Sequence, residues 1–233
     1  YSAAGNFTGT HDFDPGAGEL LKTSAGSNDA WITKFDTDGS VLWNHTIGGA
    51  GFENIYKIAV SSTDDIYATG VFNQAVDFDP SAGTTTLTSN GQNDVFVTRF
   101  NATGDFDWAV SWGGTQFDYG YSIAMLEGDK VVVSGAYFSP AMDIDPGAGT
   151  VTVTNSSASI YSDAYLVLLN DDGSLLDHFT YGLSGYSESA LSVTADGLQF
   201  VVSGIFNQPV DFDPNATVFS LPTDTPLQNG DLN

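Results

Sequence analysis

Four times the chain writes an acid, an aromatic or aliphatic residue, a second acid and a proline: Asp12–Pro15, Asp77–Pro80, Asp143–Pro146 and Asp211–Pro214. Two Asp at i and i+2 of an extended segment point to the same side, and the apolar residue between them faces the other way. Two carboxylates side by side repel each other unless a cation or hydrogen-bond donors compensate. Calcium gathers several such oxygens, so Asp12, Asp14, Asp77, Asp79, Asp143, Asp145, Asp211 and Asp213 are candidate calcium ligands. The alternative role is a cap: each Asp accepts backbone N–H groups of the turn that follows its Pro. Both readings stand at this level.

Other chemistry is hard to assemble. There is no Gly-x-Ser-x-Gly elbow and no Cys, so the usual hydrolase nucleophiles are missing. His11, His45 and His178 occupy unrelated positions in the repeat, form no metal-ligand spacing and read as surface residues. Acids are so frequent that no one pair stands out as catalytic. Glu53, Asp118 and Glu188 recur near the start of a unit, where a backbone-bonding role at a junction fits better than catalysis. The chain reads as non-catalytic.

The elements that carry these residues follow from the period. The first Asp of the tetrapeptides steps by 65, 66 and 68 residues, and Gly5, Gly70, Gly135 and Gly204 step by 65, 65 and 69. A fixed period of this size means a solenoid, a propeller or an array. Within one period, apolar runs of five to eight residues rich in Val, Ile, Thr and aromatics are bounded by Gly, Asn and Asp, as strands are. Turns such as Asn101–Gly104 and Asn170–Gly173 end on a Gly that supplies positive φ. The unit starting at Asn54 offers Asn54–Ser61, Asp65–Phe72, Asp94–Phe100 and Phe106–Trp112. An insertion over 73–93 carries the acid pair and a Thr-rich edge strand or hairpin. Four antiparallel strands per repeat predict an all-β propeller: a partial blade over 1–53, blades over 54–117 and 118–187, and a partial blade over 188–233. Ile58, Val60, Ile123, Val193 and Val201 are expected in the core. Both ends read as broken blades, which predicts partners in further blades of the same polypeptide or in neighbouring subunits.

Composition narrows the classes. Five Lys or Arg face 29 acids, for a net charge of −24, which excludes nucleic acid as a partner because phosphate neutralisation needs clustered cations. All but four of the acids are Asp, the residue of turns and cation sites. No apolar run is long enough to span a membrane.

With these residues in view, the chain resembles the bacterial SBBP-type β-propeller repeat. The resemblance rests on Asp29–Phe35, Trp43, Gly48-Gly49, Glu53, Ile58–Val60 and Ile66–Gly70, and on Asp94–Phe100, Trp108, Gly113-Gly114 and Asp118. The third copy departs, with Leu168 for the basic residue, His178 for the Trp and Gly182-Leu183 for Gly-Gly. The resemblance implies a secreted or cell-surface protein with no single family activity. The expected function is an extracellular scaffold or adhesion module of a surface protein, appendage or filament, with calcium as a candidate stabiliser. The rival is a propeller that binds glycans or proteins, with Trp31, Trp43, Trp108 and Trp112 as stacking platforms, or part of a secreted carbohydrate-active enzyme.

Overall fold

The computed structural model describes residues 1–157, 160–207, 210–211 and 220–221. The described residues contain no helix, and every sheet is antiparallel. The first unit holds β1 (Ser2–Phe7), β2 (Thr10–Asp12), β3 (Leu21–Thr23), β4 (Asp29–Phe35) and β5 (Val41–Gly49). The second holds β6 (Asn54–Val60), β7 (Ile66–Phe72), β8 (Ala75–Asp77), β9 (Thr86–Thr88), β10 (Asp94–Phe100) and β11 (Phe106–Gly114). The third repeats it with β12 (Asp118–Met125), β13 (Val131–Tyr137), β14 (Ala141–Asp143), β15 (Thr152–Thr154), β16 (Asp163–Leu169) and β17 (Leu175–Tyr181). The fourth begins with β18 (Ser189–Asp196) and β19 (Gln199–Ile205), followed by the short pair β20 (Val210–Asp211) and β21 (Ser220–Leu221).

Within a whole unit the spatial order is that of the sequence: β6-β7-β10-β11 and β12-β13-β16-β17. In the first unit β1 takes the place of β7, pairing with β4 as β7 pairs with β10. The first strands of successive units lie beside one another, β6 against β12 and β12 against β18.

Strand alternation decides which neighbour each side chain meets. On β10, Val95 and Val97 pack with Tyr165, Val167 and Leu169 of the third unit. The intervening Phe96 and Phe100 pack with Ala30 and Ile32 of the first. Each sheet thus has two apolar faces and needs a unit on either side. Ile123 and Val193 are buried as expected, and Ile58 is partly covered. Val60 and Val201 are not in the core, at 44% and 68% exposed. Val60 ends edge strand β6. Val201 is the repeat equivalent of Val132, which is buried against the unit that follows it. Among the described residues nothing follows β19 to cover Val201.

Candidate functional site

The acid-pair segments form hairpins, and two of these, β8–β9 and β14–β15, dock on the unit before their own. β8–β9 extends the first unit's sheet through Gly48↔Asp77 and Gly49↔Val76, and β14–β15 extends the second through Gly113↔Asp143 and Gly114↔Met142. The insertions of the second and third units are therefore clasps between units.

Inside each hairpin the carboxylates cap. Asp12 Oδ1 accepts the Asp14 and Leu20 amides at 3.0 and 2.8 Å. Asp77 Oδ1 accepts those of Asp79 and Thr85 at 3.1 and 2.8 Å, and Asp143 Oδ1 those of Asp145 and Val151 at 3.1 and 2.8 Å. The second acid closes the turn: Asp14, Asp79 and Asp145 accept the amides of Gly16, Ser81 and Gly147 at 2.7 to 2.9 Å. Its other oxygen lies where a Cβ would stand on Gly18, Gly83 or Gly149, so the turn needs Gly there. The Leu20 and Asp14 amides hold the Asp12 carboxyl below its usual range, since hydrogen bonds to the charged form favour it. The structure thus realises the capping role at all six described positions. Asp211 lies on β20 with its side chain outside the described residues, and Asp213 is wholly outside them.

Among the described residues no three His, Cys, Asp or Glu side chains come together as a metal-binding group. At β8–β9 or β14–β15 a calcium ion would draw at most two carboxylates from the hairpin and complete its shell with carbonyls and water.

The residue between the acids does the packing. Phe78 and Ile144 are fully buried. The Phe78 ring meets Phe72 edge-on at 5.4 Å and Phe96 at 4.9 Å. In the first unit Phe13 repeats this against Phe7 (5.1 Å, edge-on) and Trp31 (5.2 Å). There, however, β2–β3 is a two-stranded sheet by itself. Phe13 stays partly exposed, beside a shallow pocket of about 400 Å³ lined by Asn6, Phe7, His11, Asn28 and Trp31.

The Gly-Gly step that receives a hairpin is fixed from both sides. A Cβ on Gly48, Gly113 or Gly182 would run into the carboxylate of Asp29, Asp94 or Asp163. On the second glycine it would meet the next hairpin: Gly49 the Ala75 carbonyl oxygen at 2.7 Å, Gly114 that of Ala141 at 2.6 Å. In the third unit the second glycine is replaced by Leu183, and β17 stops at Tyr181.

Around each step sit two buried acids from adjacent units, and sequence reasoning placed only one of each pair in a junction role. Gly49, Gly114 and Leu183 donate their amides to Glu53 (2.9 Å), Asp118 (2.8 Å) and Glu188 (3.2 Å). Asp118 also accepts the Phe138 and Ser139 amides at 3.1 Å and the Ser139 hydroxyl at 2.7 Å. Asp29, Asp94 and Asp163 accept the amides of Ala25, Asn90 and Ser156 at 2.7 to 2.9 Å. Burial pushes Glu53 and Asp94 up to about 7, against the pull of the Gly49 and Asn90 amides and helped by the neighbouring Asp29 and Asp118 charges. Asp118, Asp163 and Glu188 are raised for the same first reason.

The basic residues of β4 and β10 and the aromatics of β5 and β11 latch onto the following unit. Lys34 Nζ reaches the Ala102 carbonyl at 2.9 Å and pairs with Asp64 at 2.6 Å. Arg99 reaches the Asp171 carbonyl at 3.0 Å and pairs with Asp65 at 2.9 Å. The turn glycines Gly104 and Gly173, at φ +91° and +81°, lie under the Trp43 and Trp108 rings. His45 is no surface residue: it stacks on Trp43 and Phe100, both at 5.0 Å. Its Nε2 donates to the Gly104 carbonyl at 2.6 Å, and burial keeps its pKa down. Trp112 is buried in the core between units, and Trp43 and Trp108 pack at junctions. These three are wedges between units.

No family model matches the chain. It is 25% identical over 122 residues, 46% of its length, to an uncharacterised WD repeat-containing protein of Acanthamoeba polyphaga mimivirus, of which the match spans 9%. It is 26% identical over 151 residues, 64% of its length, to the regulatory protein FlaEY of Caulobacter vibrioides, of which the match spans 15%. The chain thus covers a small part of either relative, and a repeated antiparallel β architecture agrees with the WD repeat likeness.

Proposed function

We propose that the chain is a stretch of a non-catalytic β-propeller of the SBBP type, its four-stranded blades locked in series by the acid-pair hairpins, and that it serves as a scaffold or adhesion module outside the cell. The observation that carries this is the clasp: an insertion from one unit completes the sheet edge of the unit before it, at two successive junctions. A repeat that spends its most distinctive residues on joining units is built to hold a geometry. The WD repeat likeness supports a propeller arrangement, and the side-by-side first strands fit blades around an axis. The Asp-rich surface suits a salty or calcium-rich medium that screens its self-repulsion.

The partners of this reading are further blades, from the same polypeptide or a neighbouring subunit. The partly exposed Phe13 and Trp31 at one end and the exposed Val201 at the other are the faces that they would cover. A synthetic peptide of Val41–Gly49, a strand that already receives a hairpin within the chain, tests the first face. The reading expects it to bind the 233-residue protein and quench Trp31 exchange with solvent, whereas the same peptide with Gly49→Leu does not bind. Equal binding of both peptides, or of neither, would count against the clasp.

A further inference from the structure

The first strand of the second, third and fourth units carries a β-bulge at the same repeat position. Pairing skips one residue between Ile55 and Lys57, between Gly120 and Ser122, and between Ala190 and Ser192. The extra residues are Tyr56, Tyr121 and Leu191. The glycine ruler has its explanation here. The backbone presses so close across the bulge that a Cβ on Gly70, Gly135 or Gly204 would strike the carbonyl oxygen of Asn54, Tyr119 or Ser189. Bulges re-aim side chains, often beside binding sites, and a bulge kept in three units at the cost of a glycine in each is such a device.

In the second and third units what it re-aims is aromatic. The Tyr121 ring stacks on Tyr119 at 5.5 Å and 11°, and Tyr119 stacks on Phe117 at 6.3 Å and 16°. Tyr56 meets Tyr121 from the neighbouring unit at 5.9 Å and 61°. Phe138 braces Tyr119 edge-on at 6.4 Å. Tyr56 and Phe117 are each 40% exposed, and Tyr119 and Tyr121 are half-buried. The strip runs along β12 and across to β6. It is unlike the Trp wedges, which are packed between units. Burial raises the Tyr121 hydroxyl to about 12 and Tyr119 in the same direction, so both remain neutral donors and acceptors.

We propose that this strip of Phe117, Tyr119, Tyr121 and Tyr56 is a binding surface for a neutral oligosaccharide, whose apolar C–H faces lie on the rings while its hydroxyls exchange hydrogen bonds with the tyrosines. Aromatic rings with a polar tip give large contact area at low entropic cost. The chain's 29 acids against five bases disfavour an anionic glycan, so the ligand proposed is a neutral one. The proposal stands apart from the scaffold reading, since the clasp lies at the other edge of the sheets and survives if sugar binding fails.

The test uses the 233-residue protein and four probes: cellohexaose, xylohexaose, mannohexaose and chitohexaose, titrated by calorimetry with ring-proton shifts followed by NMR. At least one binds, shifting Tyr ring resonances. Tyr119→Ala with Tyr121→Ala weakens it about tenfold or more, and Tyr121→Phe keeps most of the affinity. Should the double variant fail to fold, Tyr56→Ala, at a more exposed ring, serves in its place. No binding of any probe at millimolar concentration, or affinity unchanged in the aromatic variants, would overturn the proposal.

Discussion

The hairpins β2–β3 and β8–β9 carry nearly the same residues, the same two caps and the same aromatic triad, yet one is packed and the other open. Phe7, Phe13 and Trp31 repeat the geometry of Phe72, Phe78 and Phe96 to within a few tenths of an ångström in the first contact. The hairpin therefore folds on its own local chemistry, through Asp caps, glycine and an edge-on ring pair. Its burial comes from elsewhere, from the Gly-Gly end of a preceding strand. Local sequence makes the plug and the neighbouring unit makes the socket.

The sharpest way to break the comparison is to remove the central ring from each hairpin. Phe78→Ala deletes a fully buried side chain and costs about 3–5 kcal/mol. Phe13→Ala, at a ring that already meets solvent, costs less than half of that. Equal losses in denaturant titrations would mean that docking adds nothing.

Next in size is the socket. Gly114→Leu copies the residue found at the equivalent Leu183 and drives a side chain into the Ala141 carbonyl. It should cost about 1–3 kcal/mol and speed amide exchange at Met142 and Asp143. Loss of stability without faster exchange there would separate the glycine from docking.

The buried acids predict a pH profile. Glu53 and Asp94, raised to about 7, bind protons more tightly in the folded chain than in the unfolded one. Their contribution is complete below about pH 4 and is lost as pH rises through 7. The hairpin caps run the other way: Asp12, lowered when folded, loses its contribution as pH falls below the ordinary carboxylate range. Melting temperature should therefore peak between about pH 4 and 6 and fall by several degrees towards pH 8. Replacing Glu53 with Gln should flatten the alkaline side. A profile still rising from pH 5 to 8 would contradict the burial of these acids.

The smallest effect expected is that of calcium. Caps already satisfied by amides predict melting curves that coincide, within about a degree, in millimolar calcium and in excess chelator. A clear rise with calcium, by mass action on the folded state, would restore the metal role of the Asp pairs.

Much of this was legible in the residues. Turn glycines, alternating apolar runs and two agreeing periods placed the strands: Asp94–Phe100 is β10 to the residue, and the Thr-rich run became β9. The capping role of Asp12 and its equivalents was open beside calcium, because spacing alone says which way a carboxylate points and not what it meets. The docking partner of the hairpin was hidden for a related reason. β11 runs two residues past Trp112 because a hairpin 27 residues downstream pairs with Gly113 and Gly114, and such long-range pairing leaves no local mark. Val201 has the composition of a core residue, but its burial depends on a neighbouring sheet. The bulges were written as the recurring Gly70, Gly135 and Gly204, whose spacing measured the period without revealing its cause.

The central claim, that the acid-pair hairpin is a clasp closed by the preceding unit, is tested most directly by native-state amide exchange at three equivalent positions. The amides of Phe13, Phe78 and Ile144 each donate to a carbonyl across their own hairpin, to Leu20, Thr85 and Val151 at 3.1, 2.9 and 2.9 Å. Their local bonds are the same, so differences in protection report docking. The account predicts slow exchange at Phe78 and Ile144 and exchange at Phe13 faster by about two orders of magnitude or more, since losing some 3 kcal/mol of local stability accelerates opening by that factor. Equal protection at all three would contradict it.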